Sequence, residues 1–237
     1  LFRSKRVITE IIIEADQLDT YRDNGVLNVN SMNSDEIKNH LLATGCWAFI
    51  KQRPYDVIAN PDVKPKAIFI SALTTAPLAA DYDFTLLGKE KELQAAVTAF
   101  SKLTDGSVNV SVGKNSKSIF EGLNDITVHK MSGVHPAGNV GTLINKVDPV
   151  NKGEVVWTLT PQDFVIIGAL FLTGKFNAKR VIALSGSSLK NPKYYTTKIG
   201  AEVSTFIYDS ELNEKNVRVI NGNVLSGEKI ALKGHLG

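Results

Sequence analysis

Ala67-Ile-Phe-Ile-Ser-Ala-Leu73 is a nearly continuous apolar run with β-branched content. A strand with one wet face alternates apolar and polar residues, whereas a strand covered on both faces does not. This run therefore reads as a fully buried strand. Downstream, Leu93, Ala96, Val97 and Phe100 recur at helical spacing within Glu90 to Leu103, which predicts an amphipathic helix. Strands are expected at Val108 to Val112, Ile126 to Lys130 and Val155 to Leu159, with a helix at Ser118 to Leu123. Pro161 suits a first helical turn, where its missing N–H is not needed, so a helix should run from there to Gly174. Arg180 to Ser185 is again strand-like.

Upstream, a helix is expected from Ser34 to Ala43, with Asn33 or Ser34 as its N-cap. Asp35 and Glu36 lie in its first turn, and Gly45 stops it. Cys46 to Asn60 reads as irregular, broken by Pro54 and closed by Pro61. Arg6 to Glu14 reads as a strand and Ala15 to Met32 as a polar, turn-rich stretch. Alternating buried strands and helices indicate an α/β fold with a mostly parallel sheet. After Pro192 the pattern weakens to short β-rich pieces, Ala201 to Tyr208 and Val217 to Val224, with turn signals at Asn221-Gly222 and Ser226-Gly227. The expected division is 1–33 as the end of a preceding domain or linker, 34–179 as the α/β domain and 180–237 as a small α+β module.

Hydrophobic residues make up 43% and charged residues 22%, which allows a domain-sized core and argues against wholesale disorder. The net charge of +3 is too weak to suggest a nucleic-acid partner. The single cysteine, Cys46, excludes an internal disulfide and a cysteine-ligated cluster within this chain, and reads as a buried small hydrophobe. No apolar run approaches the roughly 20 residues of a membrane span. The opening at Leu1, without methionine, is read as a start inside a longer protein. His40, His129 and His235 lack partners at metal-ligand spacing, so no metal site is expected. Asp81 and Asp83 read as a solvated loop and Lys89 to Glu92 as a solvated helix face. No Ser–His–Asp set, P-loop or zinc pattern is present, so no catalytic residue is assigned.

Three stretches together resemble one family: Leu41-Leu-Ala-Thr-Gly-Cys-Trp-Ala-Phe-Ile-Lys-Gln-Arg-Pro-Tyr55, Pro65-Lys-Ala-Ile-Phe-Ile-Ser-Ala-Leu-Thr-Thr-Ala-Pro-Leu-Ala-Ala80 and Ser132-Gly-Val-His-Pro-Ala-Gly-Asn-Val-Gly-Thr142. Asp148-Pro-Val150, Val156-Trp-Thr158, Lys190-Asn-Pro-Lys193 and Arg218 to Gly227 extend the match. They are similar to the family of A subunits of sodium-translocating NADH:quinone reductases. The resemblance implies an internal piece: a Rossmann-like domain related to the flavin subunit of complex I, then a ubiquitin-like module of the SLBB type. It further implies a peripheral subunit on the cytoplasmic face of the bacterial inner membrane, partnered by the other subunits of the complex. The complex's FMN, riboflavin, FAD and iron–sulfur centre would sit in those other subunits, with ubiquinone as substrate. No G-x-G-x-x-G occurs here, which independently argues against a bound flavin. The family usually carries histidine just after the Gly-Thr pair, where this chain has Leu143, so no role of that histidine is carried over.

Two segments are candidate sites. Trp47, Phe49 and Tyr55 offer flat apolar walls for a quinone ring, and Arg53, next to Pro54, offers a donor to its carbonyl oxygens. The alternative is that these aromatics pack a domain edge and Arg53 pairs with an acid. Gly133, His135, Pro136, Gly138 and Gly141 form a glycine-rich loop, read either as a former cofactor loop that now contacts another subunit or quinone, or as a structural turn. At the level of function, a quinone-contacting subunit competes with a pure assembly scaffold and, more remotely, with a free-standing nucleotide-binding domain.

Overall fold

The computed structural model describes residues 11–14, 18, 20–208, 212–214 and 216–236. Of the strand expected at Arg6 to Glu14, residues 6–10 lie outside the described residues, and Ile11 to Glu14 are exposed without a ladder. The first helix, α1, spans Ser34–Ala43. Asn33 Oδ1 accepts from Glu36 N at 2.9 Å and Glu36 Oε2 accepts from Asn33 N at 2.8 Å, a reciprocal capping box. Ile37 and Leu41, one turn apart, are fully buried. Gly45 takes the left-handed conformation, φ 78°, and ends the helix.

Cys46 to Asn60 is more ordered than expected. A 3₁₀ turn, Cys46–Phe49, leads into a hairpin of β1, Lys51–Arg53, and β2, Val57–Ile58. Next come β3, Ile68–Ser71; a short helix α2, Tyr82–Thr85; α3, Glu90–Ser101; and β4, Val108–Gly113. The helix expected at Ser118 to Leu123 is only a 3₁₀ turn, Ile119–Gly122. Then follow β5, Thr127–Met131; α4, Val140–Val147; β6, Val156–Leu159; and α5, Pro161–Thr173, which ends at left-handed Gly174, φ 68°.

The six-stranded sheet runs β2-β1-β6-β3-β4-β5. Strands β6, β3, β4 and β5 are parallel, and the β1–β2 hairpin is antiparallel on one edge. The expected α/β fold with a mostly parallel sheet is thus present. Helices α3 and α5 cover one face, where the Phe100 and Phe164 rings stack at 4.7 Å. Their backbones meet at Gly168, where a Cβ would fall 1.7 Å from the Glu92 carbonyl oxygen. On the other face α4 buries Leu143 and Ile144 against Phe69 and Val156. Leu143 is fully buried, which suits an aliphatic side chain.

The C-terminal unit is small. Strands β7, Lys179–Leu184, and β8, Lys193–Lys198, pair antiparallel, as do β9, Val219–Asn221, and β10, Glu228–Ile230. Ala201 to Tyr208, expected to be β-rich, instead holds a 3₁₀ turn, Val203–Thr205, that buries Val203, Phe206 and Ile207. Its apolar residues serve a packed corner and make no ladder. Among the described residues no helix is long and apolar enough to cross a membrane.

Candidate functional site

The topology itself marks a place for a ligand. From β3 the chain moves outward to β4 and β5, then returns to add β6 on the other side of β3. Strand order therefore reverses between β3 and β6. Loops leaving the carboxyl ends of such strands diverge and leave a crevice, the usual ligand position in open α/β sheets. Here a cleft of about 1340 Å³ opens at that point, lined by Ser71 and the loop after β3, by Thr158 to Asp163, and by residues of the C-terminal unit.

The loop after β5 closes one side. Ser71 Oγ donates to Gly138 O at 2.6 Å, and Gly138 N donates to Thr75 Oγ1 at 2.9 Å. A Cβ at Gly138 would lie 2.4 Å from Leu73 O, so only glycine allows this approach. His135 Nδ1 lies 3.3 Å from Thr75 Oγ1, and Thr142 Oγ1 donates to Pro136 O at 2.9 Å. Gly133 has φ 146°, and the His135–Pro136 peptide is cis, as is Arg53–Pro54. Gly138 and Gly141 line the cleft, while Gly133, His135 and Pro136 shape the loop behind it.

The β6–α5 junction makes the polar centre. Thr160 and Asp163 form a capping box: Asp163 Oδ2 accepts from Thr160 N at 2.9 Å and from Thr160 Oγ1 at 2.7 Å. The other carboxylate oxygen accepts from Arg180 at the start of β7. The Asp163 side chain is only 7% exposed, so the pair is largely withdrawn from water. Gln162 adds a two-way contact, donating to Val181 O at 2.8 Å and accepting from Val181 N at 2.9 Å. Tyr82 lines the cleft too, and burial, then the Asp163 charge, raise its phenol pKa against the opposing pull of Arg180.

The 47–55 segment is split by the fold. Trp47 is sealed in the core, its indole N–H donating to Ala59 O at 2.7 Å and its ring edge-on to Trp157 at 5.3 Å. Tyr55 stands 82% exposed at the hairpin tip, beside exposed Pro54. Phe49 and Arg53 line the cleft. Phe49 stacks on Phe176 at 6.0 Å, and the Arg180 guanidinium sits 5.7 Å from its ring centre. Arg53 pairs with Asp56 at 3.4 Å.

Thr75, Tyr82, Thr160, Asp163 and Arg180 were not singled out from sequence. Thr160-Pro-Gln-Asp163 before an apolar run does carry a capping-box pattern, but nothing in the chain flags Arg180 as its partner. The remaining singled-out side chains have local roles. Asp81 caps α2, accepting from Asp83 N at 2.9 Å, and Asp83 accepts from Ser116 Oγ, so these acids are more engaged than a solvated loop. Cys46 is fully buried, and burial pushes its thiol up to about 12. His40 meets the Phe171 ring at 5.3 Å, and His129 Nε2 lies 2.9 Å from Asn109 Oδ1.

Comparison with known proteins gives a consistent result. The family model described as "NqrA second alpha/beta domain" matches residues 32–176, and the model of the "NQRA C-terminal domain", of SLBB type, matches residues 181–231. The chain is 36% identical over 232 residues to the A subunit of the Na(+)-translocating NADH-quinone reductase of Actinobacillus pleuropneumoniae serotype 5b, covering 96% of this chain and 51% of that protein. It is 37% identical over 226 residues to the same-named protein of Alcanivorax borkumensis, covering 94% and 50%. For Yersinia pestis (strain Angola) the identity is 33% over 236 residues, covering 98% and 53%. The chain thus spans about half the length of these relatives. Among solved structures, an NAD+-reducing [NiFe]-hydrogenase in the H2-reduced state superposes with a TM-score of 0.52 at 10% identity, over 75% of this chain and 41% of that one, which shows likeness of fold alone.

Proposed function

This chain belongs to the NqrA family, and from that premise we propose that it works as the central part of the NqrA subunit in a sodium-translocating NADH:quinone reductase. The observation that carries this is the ordered match of both units to that family, at 36% identity over 232 residues. In this reading the subunit is peripheral, sits on the cytoplasmic face of the membrane and docks to the other subunits of the complex.

The subunit holds no flavin or cluster of its own. Phosphate is usually gripped by backbone N–H groups of a glycine-rich loop. The loop after β3 runs Leu73-Thr-Thr-Ala-Pro-Leu-Ala-Ala80, with side chains throughout and a proline that lacks the donor. Its contribution is to the quinone reaction instead. Phe49 and Arg53, with the Gly138 and Gly141 loop, face a cleft that combines apolar wall and cationic donors. Arg53 would donate to a quinone carbonyl and stabilise negative charge developing on it. His135, held against Thr75, supports the loop.

Photolabelling the assembled complex with an azido-ubiquinone tests this. Labels on the segments around Phe49, Arg53 or Gly138 are expected; labels confined to other segments or subunits would overturn the quinone role. Stoichiometric flavin co-purifying with the intact subunit would overturn the cofactor reading. A purely scaffolding role is the second reading, favoured by the exposed hairpin residues Tyr55, Val57 and Ile58, an apolar sheet edge of the kind proteins use for contacts.

A further inference from the structure

Five cationic side chains line the same cleft, Lys51, Arg53, Arg180, Lys198 and Arg218, and we propose that the first three form a binding site for a ligand carrying two anionic groups, a diphosphate. Lys51 and Arg53 lie two residues apart on β1, so they point to the same side of the sheet with Cα atoms about 7 Å apart. Arg180 extends the row: its guanidinium sits 5.7 Å from the ring centre of Phe49, two residues before Lys51.

The two acids on this wall are already committed. Asp163 receives Thr160 N, Thr160 Oγ1 and Arg180, which fixes Arg180 in place. Asp56 reaches Arg53 only at 3.4 Å and from a 56% exposed position, a weak surface pair. Lys51 is exposed and has no acidic partner among the described residues. Asp163 offsets the charge of Arg180 and Asp56 only weakly that of Arg53, so the row keeps a net positive charge centred on Lys51, and the concave setting focuses its field. A chain of phosphates satisfies both ends of such a row, because guanidinium groups and a lysine ammonium each favour phosphate oxygens.

The site shares Arg53 with the quinone contact proposed above but does not rest on it, since a neutral quinone ring carries no charge to meet Lys51. It also differs from a glycine-loop nucleotide site, because recognition comes from side chains and not from backbone N–H groups.

Calorimetric titration of the intact subunit with pyrophosphate, and separately with ADP, at ionic strength matched by KCl, tests the proposal. Saturable one-to-one binding is expected, weakened at least tenfold by Lys51→Met and by Arg53→Gln, and weakened by added salt. Lys51 is exposed, so its variant keeps the fold, which circular dichroism verifies, even if Arg53→Gln does not. ADP binding tighter than pyrophosphate would identify a nucleoside diphosphate, and equal affinities would identify the anion alone; both support the site. Heats no different from a KCl titration, or affinities unchanged in Lys51→Met, overturn it.

Discussion

The sheet unit and the C-terminal unit differ in how much apolar surface each withdraws from water. In the sheet unit Phe69, Phe100, Phe120, Phe164 and Phe171 are fully buried, together with Ile68, Ile70 and Leu93. The cluster of the C-terminal unit has Val203, Phe206 and Ile207 as its buried members, with Ile182, Leu184 and Tyr195 only partly covered. Burying one large apolar side chain contributes about 1.5–3 kcal/mol. The first unit therefore stands on its own core, while the second leans on its joint to the first. That joint adds polar contacts to one ring contact, Phe84 with Tyr194 at 4.5 Å: Arg180 with Asp163, Gln162 with Val181, Tyr194 OH with Asp81 N at 3.0 Å and Ser185 Oγ with Leu78 O at 3.0 Å. The cleft lies along the same joint, so the contacts that hold the small unit also shape the site.

The contrast can be broken from either side. Phe164→Ala should cost about 3–5 kcal/mol, because it removes a fully buried ring from the α3–α5 contact and leaves a cavity; the denaturant midpoint measures it. A loss under about 1 kcal/mol would mean that this core does not carry the sheet unit. Arg180→Gln should cost less, about 2–3 kcal/mol, by leaving the buried Asp163 carboxylate short of its cationic partner. Hydrogen exchange should then quicken in β7 and β8 while β3 and β4 keep their protection. A uniform change across both units would erase the distinction between them.

The smallest effect concerns pH. At the amino ends of β3 and β6, Lys66 bonds Asp148 and Glu154. The hydrogen bond from Lys66, then that from Asn151 N, holds the Glu154 carboxyl below the usual 4.5. A lowered carboxylate pKa contributes stability above the unfolded value, lost as pH falls through the folded one. Lys66 is shifted upward, first by Asp148 and then by Glu154, so its share is present below 10.5 and lost as pH rises through the folded value. Lys66→Met should therefore flatten the acid limb of melting temperature against pH below about 4.5, and leave the C-terminal unit's exchange rates unchanged. An acid limb of unaltered slope would show that the cluster is inert.

Strand β3, helix α3 and the β6–α5 unit were legible because burial writes itself into composition: both faces of β3 and β6 are covered, and the run has no polar alternation. Strand β1 was not. Lys51-Gln-Arg53 is too short and too polar to show a period, and it is a strand because it pairs with β6, Gln52 facing Trp157. Helix α4 was hidden by Gly141, which lowers helix propensity in its first turn, and forms because Leu143 and Ile144 find a buried face. Within the site, Phe49 and Arg53 were chosen from residue type, but type alone could not separate them from Trp47, whose ring faces the core.

What the sequence by itself determined is the alternating α/β order and the ends of α1 and α5, which rest on local capping chemistry and on apolar runs, and the family, which rests on the resemblance of the 41–55, 65–80 and 132–142 stretches. Only the tertiary structure decided where the strand order turns back, and hence where the cleft opens. It alone joined Asp163 to Arg180 and set Arg180 beside Phe49. Such contacts are fixed by packing between elements distant along the chain, and no spacing within a single segment encodes them.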